Sequence, residues 1–394
     1  MFTKVVTLAL AAAITIPAVA VPAAAAAAPA ARCSAATRPS APTSLPALDA
    51  AALCRSISGL PNGQATYSLV RVRGEAGSWT GSSGVRDVRT GGRVPDGARF
   101  RIGSVTKVFT ATVVLQLVGE GKIDLDGTVQ HYLPGLLPAS YPSVTVAQLL
   151  NHTSGLPSPT LPDDDRWILG HRFDVWTPQR WMDGVAKNPM EFTPGTKQHY
   201  LNTNYFVLGM LIEKVTGRPY GDAVRERIIR PLGLRHTTIP GRDVRIPGPH
   251  AEGYMAVDGT LVKVTEMSQT MTWAAGEMIS TTADLDRFMV ALFRGRLLKP
   301  ALLDKMFTLP KDVQMYDGND DPSDDQPAAY TMGMSVMTLP GGVTIYGKTG
   351  SRYGYSTGMF ATRDLKRRVV VSVGSTTKGD SAMLQTIGLA AFAF

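Results

Sequence analysis

Arg101-Ile102-Gly103-Ser104-Val105-Thr106-Lys107, with the apolar run 108–118 behind it, organises this chain. The run lacks the polar stripe of a surface helix, so a helix here is expected to be buried all round. Residues three apart on a helix share a face, so the Ser104 hydroxyl and the Lys107 amine can meet. Nucleophilic serine chemistry needs an adjacent base, and a desolvated lysine can serve as one. Alone the pattern is weak, because Ser-x-x-Lys recurs at Ser375 and Lys378. That second copy follows a strand and has no buried helix behind it, so it reads as bland.

Outward from this stretch, residues 65–73 and 78–87 read as strands joined by a turn at 74–77, and 99–102 as a short extended entry to Ser104. Gly119-Glu120-Gly121 ends the buried helix. To about residue 271 the chain reads mostly as helices and loops, with helices over 146–150, 205–216 and 220–229. Residues 283–294 form an amphipathic helix with Leu285, Phe288, Met289 and Leu292 on one face. Strands return at 343–347, 355–362 and 368–374. The turn at 364–366 makes the last two antiparallel neighbours, and a helix closes the chain from about 381. The predicted fold class is α/β of the α+β type. One antiparallel sheet comes from about 60–103 and 330–394, with flanking helices and a mostly helical insertion over about 104–300.

With 394 residues, 44% apolar and 18% charged, the chain has ample core-forming material. Residues 1–31 read as a secretory signal, with one positive charge in 1–4, an apolar run over 5–21 and an alanine- and proline-rich end. The alternative, a membrane anchor, is disfavoured by so short and alanine-rich a run. A secreted, extracellular, periplasmic or cell-wall-associated protein with no membrane span is therefore expected, and a monomer. Residues 32–47 are rich in Ala, Pro, Ser and Thr and read as an exposed linker; a short helix follows over 48–57. Cys33 and Cys54 are the only cysteines. In an exported chain they suggest one disulfide, the alternative being two free thiols. The formal charge of +8 is spread among acids, apart from Lys366-Arg367-Arg368. A nucleic-acid binder concentrates charge on one face, so no nucleic-acid partner is expected.

Two further elements carry chemistry. Tyr200-Leu201-Asn202 stands in a loop before a helix, and Lys348-Thr349-Gly350 at the end of a strand beside 355–362. Taken alone, each is unremarkable. In this order and spacing with Ser104-x-x-Lys107, they match the set of penicillin-binding proteins and serine β-lactamases. The chain resembles secreted serine D-alanyl-D-alanine carboxypeptidases and class C β-lactamases. The resemblance runs from about Phe100 to Gly374. It includes Leu150-Asn151-His152-Thr153-Ser154-Gly155-Leu156 and Ala275-Gly276-Glu277-Met278-Ile279-Ser280-Thr281.

That resemblance implies one β-lactamase/transpeptidase-like hydrolase domain over 48–394. It also implies cell-wall peptides or β-lactams as substrates and no cofactor or metal. Ser104 would attack a carbonyl carbon, Lys107 would accept its proton if neutral, and burial beside Lys348 would favour that state. Tyr200 would carry the proton to the leaving nitrogen. Asn202 would hold the substrate amide and position Lys107. The backbone N–H groups of Ser104 and Ser351 would hold the oxyanion, and Thr349, Gly350 and Ser351 would border the substrate. Trp273 reads as the pocket's aromatic wall or as a core tryptophan.

Two departures bear on substrate. The carboxypeptidases often have His-Thr-Gly where this chain has Lys348-Thr349-Gly350, the form typical of class C β-lactamases. They can also carry an arginine on the segment matching 330–336 to grip a terminal carboxylate, and here that segment has no cation. Arg352, beside the site, is the candidate substitute. A D-alanyl-D-alanine carboxypeptidase is the leading expectation, with a β-lactamase or esterase as alternatives and a non-catalytic penicillin-binding sensor behind them. The one Gly-x-Ser-x-Gly pattern, at 354–358, opens the strand expected over 355–362 and does not sit on a strand-to-helix turn, so it makes no nucleophile elbow. The six histidines are dispersed, and the acidic run at 317–322 lacks the glycine and glutamate of a calcium loop.

Overall fold

Period-two alternation builds the central sheet, because successive side chains of a strand point to opposite faces. Val70 and Val72, like Val369, Val371 and Val373, join one apolar cluster, whereas Leu69, Val370, Met359 and Ala361 join the other. The computed structural model describes residues 29–162, 164–318 and 326–392. In chain order the sheet strands are β1 (Arg32–Cys33), β2 (Ala65–Arg73), β3 (Trp79–Gly84), β4 (Ser335–Thr338), β5 (Thr344–Arg352), β6 (Tyr355–Thr362) and β7 (Arg368–Ser375). They lie in the order β1-β3-β2-β7-β6-β5-β4, with every neighbour antiparallel. β2 pairs with β7, Val70 opposite Val371, so the expected joining of early and late strands in one sheet is present.

Helices α1 (Ala50–Ser56) and α5 (Ala382–Phe392) cover one face. Asp49 caps α1, its carboxylate accepting the N–H groups of Ala51 and Ala52; such a cap is worth about 1 kcal/mol. The other face carries the larger core, which includes residues of α2 (Thr106–Gly119), α3 (Asn202–Thr216) and α4 (Thr282–Phe293). Every residue of α2 from Thr106 to Leu115 is buried. Full burial of a Val, Leu or Phe side chain stabilises by roughly 1.5–3 kcal/mol, so α2 is anchored on all sides. Phe109 stacks on Phe288 of α4 with ring centroids 3.7 Å apart.

Three sequence expectations change. Residues 32–47 do not form a free linker: β1 pairs with β3, and Ser34, Thr37 and Ser40 continue the contact through bonds to the carbonyls of Thr80, Ser78 and Glu75. A Cys33–Cys54 disulfide ties that strand to α1. The strand expected over 343–347 extends to Arg352, because pairing with β6 continues to Arg352 opposite Tyr355. The expected helix over 220–229 becomes a short α-helix, Tyr220–Val224, followed by a π-turn, Arg225–Ile229. Most of the expected signal and of the acidic run 317–322 lies outside the described residues. Among the described residues no helix is long and apolar enough to cross a membrane.

Candidate active site

Two glycines bring the separate motifs together. Ser104 lies in a single 3-10 turn, Gly103–Val105, that opens α2. Gly103 has φ +50°, a left-handed conformation that favours glycine. On β5, a Cβ at Gly350 would lie 2.0 Å from the Ile102 carbonyl oxygen and 2.8 Å from the Ser104 nitrogen. Only glycine lets the strand and the turn approach so closely. Ser104 and Ser351 consequently share one cleft wall. β4 stops opposite Gly347, so β5 from Lys348 onward is paired with β6 along one edge and meets the Ser104 turn with one face.

Lys107 is fully buried on α2. Its amine lies 3.2 Å from Ser104 Oγ, 2.7 Å from Asn202 Oδ1 and 2.9 Å from the Ala275 carbonyl. A neutral amine keeps two N–H donors, enough for Asn202 Oδ1 and the Ala275 carbonyl, and leaves its lone pair for the Ser104 hydroxyl. Burial, and then the nearby Lys348, hold its pKa well below the usual lysine value. Lys348 is 5% exposed and burial pulls it down to about 7. The two amines stand 4.9 and 4.4 Å from the Tyr200 ring centroid. The Tyr200 hydroxyl is buried without a hydrogen bond. Burial raises its pKa far above the ordinary phenol range, and the Ser104 side chain works against that shift. The fold therefore gathers Ser104, Lys107, Tyr200, Asn202 and Lys348 around one point.

The cleft, of about 340 Å³, has a polar side with Ser104, Tyr200, Asn202, Ser351 and Arg352, and an apolar side with Leu161, Ile168, Trp181 and Met271. Thr349 is exposed on β5. Arg352 is buried, donates from Nε to Gln269 Oε1 at 2.7 Å, and is lowered by burial to about 10. Trp273 does not line the cleft; its ring packs on Phe206 and Tyr220. The aromatic on the wall is Trp181, stacked on Phe206 and donating to Thr203 Oγ1 at 3.2 Å. Among the described residues no three His, Cys, Asp or Glu side chains cluster as metal ligands would.

The chain is a member of a known family by direct comparison. The family model described as Beta-lactamase matches residues 61–392. The chain belongs to the beta-lactamase family. Among its relatives, penicillin-binding protein 4 of Amycolatopsis lactamdurans is 34% identical over 212 residues, 52% of this chain and 54% of that protein. Penicillin-binding protein 4* of Bacillus subtilis (strain 168) is 28% identical over 69% of this chain and 59% of its own. This beta-lactamase-family chain thus spans little more than half the length of these curated relatives. A solved D-stereospecific amidohydrolase from a Streptomyces species superposes with TM-score 0.75 at 36% identity, covering 87% of this chain and 98% of that one.

The structure also brings to the site His152, from the Leu150–Leu156 segment of the resemblance but given no role there, together with Tyr330 and Lys378. His152 has φ +63° and is buried. Its ring lies 4.6 Å from that of Tyr200, and its Nδ1 stands 3.1 Å from Asn204 Nδ2 and accepts the Leu201 N–H at 3.3 Å. Burial, then Lys107 and Lys348, keep it neutral by lowering its pKa well below the usual histidine value. Tyr330 stacks on Tyr200 at 4.9 Å and meets the His152 ring edge-on at 5.5 Å. Lys378, from the bland second Ser-x-x-Lys, lines the cleft and donates to the Tyr353 hydroxyl at 3.3 Å. A single buried histidine has no periodic signature, and Lys378 reaches the cleft only through the turn after β7.

Proposed function

We propose that this protein is a serine hydrolase that forms an acyl-enzyme on Ser104 and removes the terminal residue from D-alanyl-D-alanine peptides. Arg352 is the observation that carries the carboxylate-ended substrate. Its guanidinium lines the cleft beside Ser104, is 6% exposed, and has no carboxylate partner among the described residues. An uncompensated buried charge is costly, and a substrate carboxylate would neutralise it with bidentate geometry.

The steps follow from the site's atoms. A substrate backbone adds along the open edge of β5 as a further strand. Lys107, neutral through burial, takes the Ser104 proton as Oγ bonds to the carbonyl carbon. The carbonyl oxygen becomes the oxyanion and lies between the backbone N–H groups of Ser104 and Ser351. Tyr200 passes the proton to the leaving nitrogen as its bond to carbon breaks. Water, activated by the same groups, then releases the acyl product. Lys348 helps keep Lys107 neutral and holds the Tyr200 ring. The cysteine pairing favours work outside the reducing cytoplasm.

A second reading, an amide or ester hydrolase for D-amino acids, draws on the absence of a cation on 330–336 and on the similarity to the D-stereospecific amidohydrolase. Parallel turnover of a diacyl-Lys-D-Ala-D-Ala peptide, D-phenylalanine amide, a D-amino-acid ester and a cephalosporin separates them. The first reading expects the peptide to be turned over best and Arg352→Met to lower its kcat/KM about thirtyfold, from roughly 2 kcal/mol for a lost buried charge contact. Faster cleavage of the amide, indifferent to Arg352→Met, refutes the carboxypeptidase. Rapid turnover of the cephalosporin replaces it with a β-lactamase.

A further inference from the structure

A second cleft, of about 450 Å³, lies on the face of β2 and β3 turned away from α1 and next to the start of α4. Arg32, Arg71 and Arg73 line it, with the hydroxyls of Thr80 and Thr282. The sheet register builds this wall: Arg71 stands opposite Thr80, and Arg73 stands opposite Arg368 of β7. Like charges directly across an antiparallel pair are destabilising, so the pairing of Arg73 with Arg368 needs compensation.

The protein supplies only part of it. Asp286 of α4 lies 2.5 Å from Arg368 Nε and 3.5 Å from Arg71 Nε. Asp96 lies 3.8 Å from Arg32. Arg73 has no carboxylate partner; its Nη1 donates to the carbonyls of Val72 and Trp79. Four guanidiniums thus face two carboxylates. Neither the Thr80 nor the Thr282 hydroxyl hydrogen-bonds another described residue, although Thr282 is 8% exposed. The wall is also fixed in place, since Cys33 beside Arg32 is bridged to Cys54 on α1.

We propose that this cleft binds a phosphate group carried on a sugar or polyol. Guanidiniums recognise phosphate oxygens through paired, planar hydrogen bonds, and the surplus positive charge calls for an anion. The size calls for more than the anion: a water takes roughly 30 Å³, so bare phosphate would leave most of the space unfilled. The free threonine hydroxyls suit the hydroxyls of the carrier.

Isothermal titration of the full chain with glucose 6-phosphate, with glucose as control, tests this. Saturable binding of the phosphate ester, weakened at least tenfold in Arg73→Gln and in the surface variant Arg32→Gln, is expected. Penicillin labelling at Ser104 reports in each variant that the fold is intact and should not change. Heat without saturation, equal binding of glucose, or affinity untouched in both variants overturns the proposal.

Discussion

Replacing Lys348 with methionine should make the protein more stable while disabling its chemistry. Burial takes this amine from 10.5 to about 7, and at about 1.4 kcal/mol per pH unit that displacement corresponds to roughly 5 kcal/mol. Methionine fills similar space against the Tyr200 and Tyr330 rings, 4.4 and 5.6 Å from the present amine. The cation–ring attraction it forfeits offsets part of the gain. Apolar replacements of buried charges recover about 1–4 kcal/mol, and that range is expected at pH 7. The sign has a pH signature. From about 7 up to 10.5 the unfolded chain binds the proton and the folded chain does not, so wild-type stability rises relative to the variant. Between pH 7.5 and 9 the variant's advantage should shrink by about 2 kcal/mol. Below pH 7 it should be constant and largest. Urea unfolding at several pH values measures this. A variant less stable than wild type, or an advantage independent of pH, would refute the assignment of Lys348 as a buried amine titrating near neutrality.

Lys107→Ala and Tyr200→Phe should each slow acylation by a labelled penicillin about 100- to 10,000-fold, the range for a lost general base or acid. Mass spectrometry should place the adduct on Ser104, and near-normal rates would remove both residues from the mechanism. Replacing Cys33 and Cys54 together with serine should cost about 3 kcal/mol of stability for a loop of this length. Penicillin labelling should persist, since neither cysteine lines the Ser104 cleft; unchanged stability in urea would show that β1 is held by its hydrogen bonds alone.

The elements legible in advance were those with a repeating signal. The valine alternation at 368–374 and the aromatic and apolar run at 355–362 mark β7 and β6. The unbroken apolar character of 108–118 marks α2. β1 was invisible because two residues, Arg32 and Cys33, make no pattern; partners on β3 create it. β5 seemed to end at Gly347 because Gly350-Ser351-Arg352 contains no strand formers, and tertiary pairing overrides that preference. At the site, Ser104, Lys107, Tyr200 and Lys348 announced themselves through motif order. Trp273 was open between pocket wall and core, and Trp181 carried no signal at all, since only packing sends Trp181 to the cleft and Trp273 to the core. His152 supports Tyr200 through ring contact and two hydrogen bonds, a relation that spans 48 positions and leaves no local trace.

The pairing of β2 with β7 also sets a schedule. The Thr66 hydroxyl donates to the Gly374 carbonyl across 308 positions. A chain made N-terminus first has to wait for the second partner. At about 5–20 residues per second, the intervening stretch takes on the order of 15–60 s to synthesise. Through that interval β2 and β3 have only the two-residue β1 beside them, and so small a sheet is marginal in water. The Ser104 turn waits too, since the strand it packs against begins at Thr344. The nascent chain is thus kept both open and inactive until its last strands are made, the condition in which a polypeptide can still be threaded elsewhere before it folds.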